Sequence, residues 1–329
     1  MLFRSPTIGT SRPRAVIGHH KGVTLLRTPV PSVPSEAGAA GEAAAALADL
    51  SGLADLSGLA ALVRGGGVAV LSGAGLSTES GIPDYRGPTG LARRAEPMTY
   101  QAFTGSDQAR RRYWARSHLG WRHVARAQPN DGHRAVAALQ DRGLLAGIIT
   151  QNVDGLHQAG GARQVIELHG SLDRVVCLGC RRRTPRDELD QRLRAANPGW
   201  QARATAINPD GDAALTDADT AGFAIVDCRA CGGVLKPDVI FFGENVPRDR
   251  VGECYQLVSQ ARALLVLGSS LTVMSGYRFV RHAAGEGIPV AIINRGPTRG
   301  DSQASLRFDL PLGRTLTGLV ARCPASQEP

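Results

Sequence analysis

Four of the six cysteines fall into two pairs, Cys177-x-x-Cys180 and Cys228-x-x-Cys231, and the two-residue spacer lets both sulfurs of a pair face one ion. Four thiolates suit tetrahedral zinc, and a sphere closed by four sulfurs leaves no position for an activated water, so the expected role is structural. Redox dithiols or metal-free structural cysteines are the alternatives. A second group of residues points to nucleotide chemistry. An apolar run from Val68 enters Gly73-Ala74-Gly75 as a dinucleotide-binding turn would, yet no third glycine opens a helix, and a polar stretch with Pro83, Asp84, Tyr85 and Arg86 follows. "TQNVDGLH" carries Gln151, Asn152, Val153 and Asp154, and "ELHGSL" carries His169, an imidazole able to take a proton near neutral pH. "GSSLTV" supplies Gly268, Ser269 and Ser270, and "NRGPT" supplies Asn294, Arg295 and Gly296. Each is weak alone, since Gly-x-Gly arises by chance and a lone histidine is more often structural; the order and company of the motifs carry the weight.

The elements that must position them read as an alternation of strands and helices. Val68 to Ser72, Leu144 to Thr150 and Val165 to Leu168 are short apolar runs, and "KPDVIFFG", "ALLVLGSS" and "PVAIINRG" are continuous apolar runs ending in Gly, Ser or Asn. Such runs separated by helical stretches predict parallel strands buried on both faces, with ligand loops at their carboxyl ends, where every polar motif above lies. The fold class is α/β: a doubly wound, Rossmann-like parallel sheet over 43–173 and 236–322. A helical insertion is expected over about 90–130, where Tyr113, Trp114 and Trp121 recur at helical spacing, and a smaller inserted zinc-binding module over 174–235, with "RDELDQRLRAA" as a helix inside the long gap between the cysteine pairs. Residues 1–42 read as a disordered tail. The doubled hexapeptide "ADLSGLADLSGL" is too short for a solenoid and reads as an interrupted amphipathic helix continuing through "AALVRGGG".

The 329 residues permit one large domain with a smaller one. The formal charge of +9 comes from dispersed arginines, with Lys21 and Lys236 as the two lysines, so it reads as a solvated basic surface rather than a nucleic-acid footprint. No apolar run is long enough to cross a bilayer. With no secretory leader in view, the cysteines favour a reducing compartment over a disulfide framework.

Taken together and in this order, the Gly-Ala-Gly loop through Tyr85-Arg86, Gln151 to Asp154, His169-Gly170, the four cysteines, "KPDVIFFGE", Gly268 to Ser270 and Asn294 resemble the sirtuins, NAD-dependent protein deacylases, over roughly residues 60–320. "GYRF", "NRGPTR" and the long inter-cysteine segment look most like the class II branch. The resemblance implies that NAD is a co-substrate whose nicotinamide leaves while the acyl oxygen of a modified lysine attacks the ribose carbon. It implies NAD contacts at Gly73, Ala74, Gly75, Asp84, Tyr85, Arg86, Gln151, Asn152, Val153, Asp154, Gly268, Ser269, Ser270, Asn294, Arg295, Gly296 and Leu312, with the amides beside Gly73 and Gly75 approaching the pyrophosphate. Tyr85 shields the reacting face, or packs, and Arg86 holds a phosphate or anchors its loop. Asn152 and Asp154 hold the carboxamide, His169 is the general base toward a ribose hydroxyl, and His157 is structural. Val239, Phe241, Gly243 and Glu244 form the edge along which an acyl-lysine peptide lies. One structural zinc ion sits on Cys177, Cys180, Cys228 and Cys231.

The resemblance leaves the acyl class open. Arg93 and Arg94 follow the first loop without the tyrosine that acidic-acyl enzymes carry there, which argues against succinyl or malonyl preference, although an arginine can still reach an acyl carboxylate; deacetylation is the default by family prevalence, with lipoyl or longer acyl groups open. "VMSG" stands where many deacetylating members have a proline. Protein mono-ADP-ribosyl transfer and lipoamide removal are the enzymatic alternatives, and an NAD-sensing zinc module on nucleic acid is the non-enzymatic one. An ordinary Rossmann dehydrogenase is disfavoured, since no ribose-binding carboxylate follows the glycine turn at the expected distance. The expected partners are acyl-lysine proteins, with neither membrane nor nucleic acid, in a bacterial cytoplasm or alternatively the mitochondrial matrix.

Overall fold

The computed structural model describes residues 56–85, 97–204, 206, 208 and 210–324. Nine strands are present among them: β1 (Val68–Ser72), β2 (Leu145–Thr150), β3 (Val165–Glu167), β4 (Gly170–Cys177), β5 (Arg183–Pro185), β6 (Leu235–Val239), β7 (Ala263–Leu267), β8 (Val290–Ile293) and β9 (Leu306–Phe308). Six form one sheet in the order β3-β2-β1-β7-β8-β9, every neighbouring pair parallel. β1, β7 and β8 are buried at every position, as a sheet covered on both faces demands. Alternate side chains serve opposite layers: Val70 joins Leu59, Leu139 and Leu316 under one set of helices, while Leu71 joins Val258, Val266 and Phe279 under the other. The fold is therefore the doubly wound α/β arrangement that the apolar runs predict. β2 and β3 lie to one side of β1, and β7, β8 and β9 to the other, so the strand order reverses between β1 and β7. A crevice opens outside the carboxyl ends of strands at such a point.

The run "KPDVIFFG" departs from expectation. It does not join the parallel sheet: β6 pairs antiparallel with β4, which in turn pairs with β5, in a separate three-stranded sheet. β6 is buried at four of its five positions because aromatic helices cover it, and full burial looks the same in sequence whichever sheet supplies it. Phe241 packs on Phe103 and Tyr113 at 5.2 and 5.1 Å between ring centres, and the Trp114 indole N–H donates to the Leu235 carbonyl. β9, three residues long, was not foreseen.

The helical insertion contains helices Tyr100–Gly105 and Asp107–Arg126, and "RDELDQRLRAA" is the helix Arg186–Ala196. These two regions lock together through the buried Arg186, whose guanidinium lies over the rings of Trp114 and Trp121. Of the expected N-terminal helix, Ser57–Arg64 is helical, with Leu59, Ala60 and Val63 buried. Its earlier part, the tail and Arg86, Arg93 and Arg94 lie outside the described residues.

Candidate active site

Loops at the carboxyl ends of β1, β2, β3, β7 and β8 line a cavity of about 820 Å³ together with β6 and the segment after it. Gly73, Ala74, Gly75, Asp84, Tyr85, Gln151, Asn152, Val153, Asp154, His169, Val239, Phe241, Gly243, Glu244, Gly268, Ser269, Ser270, Asn294, Arg295 and Gly296 all stand on its wall. Leu312 does not; it is buried behind Gly268.

The two glycines of the first loop let two backbones meet. Their amides are already used: Gly73 N–H donates to the Leu267 carbonyl at 2.9 Å and Gly75 N–H to the Gly268 carbonyl at 2.8 Å. A Cβ at Gly73 would sit 2.8 Å from the Gly268 carbonyl oxygen, and one at Gly75 2.9 Å from the Gly268 Cα. Glycine is required here because the β1 and β7 loops meet backbone to backbone, which builds the floor of the crevice.

Next to that floor lies a buried polar chain. Asn152 Nδ2 donates to the Gly73 carbonyl and to Ser77 Oγ, both at 3.1 Å, and Ser77 Oγ donates to Asp154 Oδ2 at 2.7 Å. Asp154 Oδ1 accepts from Leu156 N–H at 3.0 Å. Burial pushes the Asp154 carboxyl above the ordinary range, and these two donors only partly offset it. Ser77 joins the two residues singled out from the motif, although no spacing rule marked it.

His169 follows β3. Its Nδ1 lies 2.9 Å from the Gln151 carbonyl, which can only accept, so Nδ1 carries the proton and Nε2 holds a lone pair. Nε2 is 2.8 Å from Ser275 Oγ. Burial pushes the imidazole down to about 4, with Arg250 and Arg278 adding to the effect. At neutral pH it is an uncharged base of fixed tautomer. Gly170 beside it cannot be replaced: its φ is +82°, and a Cβ would fall 1.9 Å from the Asp238 carbonyl oxygen, where β4 meets β6. His157 is structural, buried and 2.8 Å from Ser72 Oγ.

At the mouth, Tyr85 meets Phe242 edge to face, 6.5 Å between ring centres, and both rings are exposed. The segment after β6 is less open than a free strand edge. Ile240 N–H donates to the His169 carbonyl, and Phe241 N–H to the Glu244 carboxylate. That carboxylate also pairs with the buried Lys236 at 3.1 Å. Glu244 thus braces the wall from within. Asn294 likewise turns its amide nitrogen to its own loop, donating to the Arg295 and Gly296 carbonyls. Asp210, Tyr113, Met98 and Arg278 also reach the cavity and were not anticipated, because they arrive from the insertion, the inter-cysteine segment and the face of a helix.

Away from the cavity, the sulfurs of Cys177, Cys180, Cys228 and Cys231 all lie within 4.8 Å of one another. Cys177 and Cys231 are separated by 3.5 Å and Cys180 and Cys228 by 3.8 Å. Tetrahedral zinc at the usual Zn–S length of about 2.3 Å sets its sulfurs about 3.8 Å apart, so the set fits the ion. A Cβ at Gly233 would come within 3.0 Å of the Cys177 sulfur, which accounts for the small residues in the second knuckle.

The model described as the Sir2 family matches residues 73–275. The NAD-dependent protein deacetylase 1 of Streptomyces coelicolor is 64% identical over 263 residues, which cover 80% of this chain and 88% of that protein. The NAD-dependent protein deacetylase 2 of Bradyrhizobium diazoefficiens is 52% identical over 240 residues, covering 73% and 88%. A solved complex of Sir2 with a p53 peptide and NAD+ superposes with a TM-score of 0.66 at 28% identity, covering 81% of this chain and 98% of that one. Sir2 bound to acetylated peptide gives 0.61 at 27% identity, covering 77% and 92%. The matched stretch begins at the first glycine of the crevice floor and ends at the serine facing His169, and the chain belongs to the Sir2 family.

Proposed function

We propose that this protein is an NAD-dependent protein lysine deacetylase, which moves the acyl group of a modified lysine to ADP-ribose and releases nicotinamide. The observation that carries the reading is His169: an imidazole on the cavity wall with its proton fixed on Nδ1 by Gln151 and its Nε2 lone pair held against Ser275, on the same wall as the Asn152–Ser77–Asp154 chain. The names of the relatives and the peptide and NAD+ complexes among the solved structures support it. The cavity volume lies in the range of small-molecule sites, about 300–1,000 Å³, and Asp154 presents a half-buried carboxyl with few donors, suited to an amide.

Bound NAD supplies a departing nicotinamide and an electrophilic ribose carbon. Asp154 and Asn152 receive the carboxamide and set its plane. Tyr85 and Phe242 close the mouth against water. The acyl-lysine lies along Val239 to Gly243, its chain among Phe241 and neighbouring apolar groups. His169 takes the ribose-hydroxyl proton at Nε2, and the Gln151 carbonyl holds the imidazolium that forms. The four cysteines hold zinc for the shape of the module, about which no proton moves. We place the enzyme in a bacterial cytoplasm, acting on proteins rather than nucleic acid, in keeping with free thiols and bacterial relatives.

The test is nicotinamide release with acetyl-, succinyl-, lipoyl- and long-chain acyl-lysine peptides, wild type against His169→Ala, with product analysis. Acyl-dependent release with O-acyl-ADP-ribose, lost in the variant, is the expected outcome. Labelled protein without acyl product would move the assignment to mono-ADP-ribosyl transfer.

A further inference from the structure

Ser275 is the second residue of helix Met274–Gly285, half-buried and on the cavity wall. Its hydroxyl lies 2.8 Å from His169 Nε2, and among the described residues this is its one hydrogen bond. Because Nδ1 is protonated, Nε2 can only accept, so Ser275 donates to it. The placement is built in. The next residue, Gly276, has the Gln151 side chain where a Cβ would be, 2.5 Å away, so the helix start is pressed against the residue whose carbonyl orients the imidazole. The lone pair that must take the substrate proton therefore points at a serine oxygen.

We propose that Ser275 is the relay through which His169 removes the ribose-hydroxyl proton, an inference that rests on the deacetylase reading above. The ribose O–H bond breaks as its proton passes to Ser275 Oγ, and the Ser275 O–H bond breaks as its proton passes to His169 Nε2. The electron pair left on the ribose oxygen forms the bond to the acyl carbon, and the positive charge rests on the imidazolium. Serine is unchanged at the end, both donor and acceptor in one step.

The test uses the full zinc-loaded chain with NAD and acetyl-lysine peptide, following acyl-product formation in single turnovers in mixtures of H2O and D2O. Ser275→Ala is expected to slow acyl transfer by about a hundredfold to ten-thousandfold, the scale of a positioned proton transfer, with KM for NAD little changed. Ser275→Thr, which keeps the hydroxyl, restores most of the rate. The wild-type rate should bow against deuterium fraction, as two protons in flight require, and the Ser275→Ala rate should fall on a straight line. A Ser275→Ala rate equal to wild type, or a straight line for both proteins, would overturn the relay while leaving the deacetylase intact. A wild type that forms no acyl product with any peptide would remove the reading itself, a different result from either.

Discussion

At the scale of single residues, the chemistry is set by what each polar atom already holds. His169 is an uncharged base because Gln151 fixes its proton and burial keeps a second one off. Ser77 is the residue whose loss isolates the polar chain on the cavity floor, since its one hydroxyl serves both Asn152 and Asp154. Ser77→Ala removes a donor to a buried carboxyl, a bond worth about 1.5–3 kcal/mol when one partner is charged. We expect kcat/KM for NAD to fall at least about tenfold with the fold unchanged by circular dichroism, since about 1.4 kcal/mol is one factor of ten. An unaltered kcat/KM would show that Asp154 needs no such support. The motifs made Asn152, Asp154 and His169 visible in the sequence because they are short and contiguous. Ser77 and Ser275 were invisible for the opposite reason: each acts on a residue more than seventy positions away, and a serine in a polar run or at a helix start carries no mark of what it faces.

At the scale of elements, burial patterns gave the parallel sheet, since β1, β7 and β8 are apolar throughout and end in glycine or polar residues. They misplaced β6 for the same reason, because burial under Phe103, Tyr113 and Trp114 produces the same apolar run as burial inside a parallel sheet. What tells the two apart is pairing partner and direction, and neither is written locally. The small sheet matters for chemistry because β4 runs from Gly170, next to His169, to Cys177 of the four-cysteine cluster, and pairs at both ends with β6. Metal binding is folding free energy for such a module. A thiol-reactive chelator is expected to release one zinc per chain, lower the melting temperature and abolish acyl transfer, although no reacting atom touches the ion. The six-stranded sheet should keep its helical and strand signal by circular dichroism. A metal-stripped protein with unchanged melting temperature and activity would show that the cysteines pack without a metal.

At the scale of the whole molecule, buried and half-buried ionisable groups of both signs pull stability in opposite directions with pH. Burial lowers His133 to about 3 and His157 and His169 to about 4, from an ordinary 6.5. Each then contributes stability that is present above 6.5 and lost as pH falls toward its folded value, because the unfolded chain binds a proton the folded one refuses. Burial raises the carboxyls of Asp154, Asp210 and Asp212, whose contribution is full below 3.8 and lost as pH rises through the raised value. The summed curve therefore conceals each part, and a difference between two proteins reveals one. His133 is the suitable site. It is buried, its Nδ1 accepts from Asn130 N–H in the cap of helix Asp131–Asp141, and its Nε2 has no partner among the described residues. Glutamine at that helix position accepts the same N–H without titrating. With zinc loss common to both proteins and cancelling, His133→Gln should gain on wild type by about 1–2 kcal/mol between pH 8 and pH 5, at about 1.4 kcal/mol per pH unit below 6.5. Urea unfolding at the two pH values measures it. The same difference at both would mean that His133 takes up its proton in the folded protein as readily as in the unfolded chain.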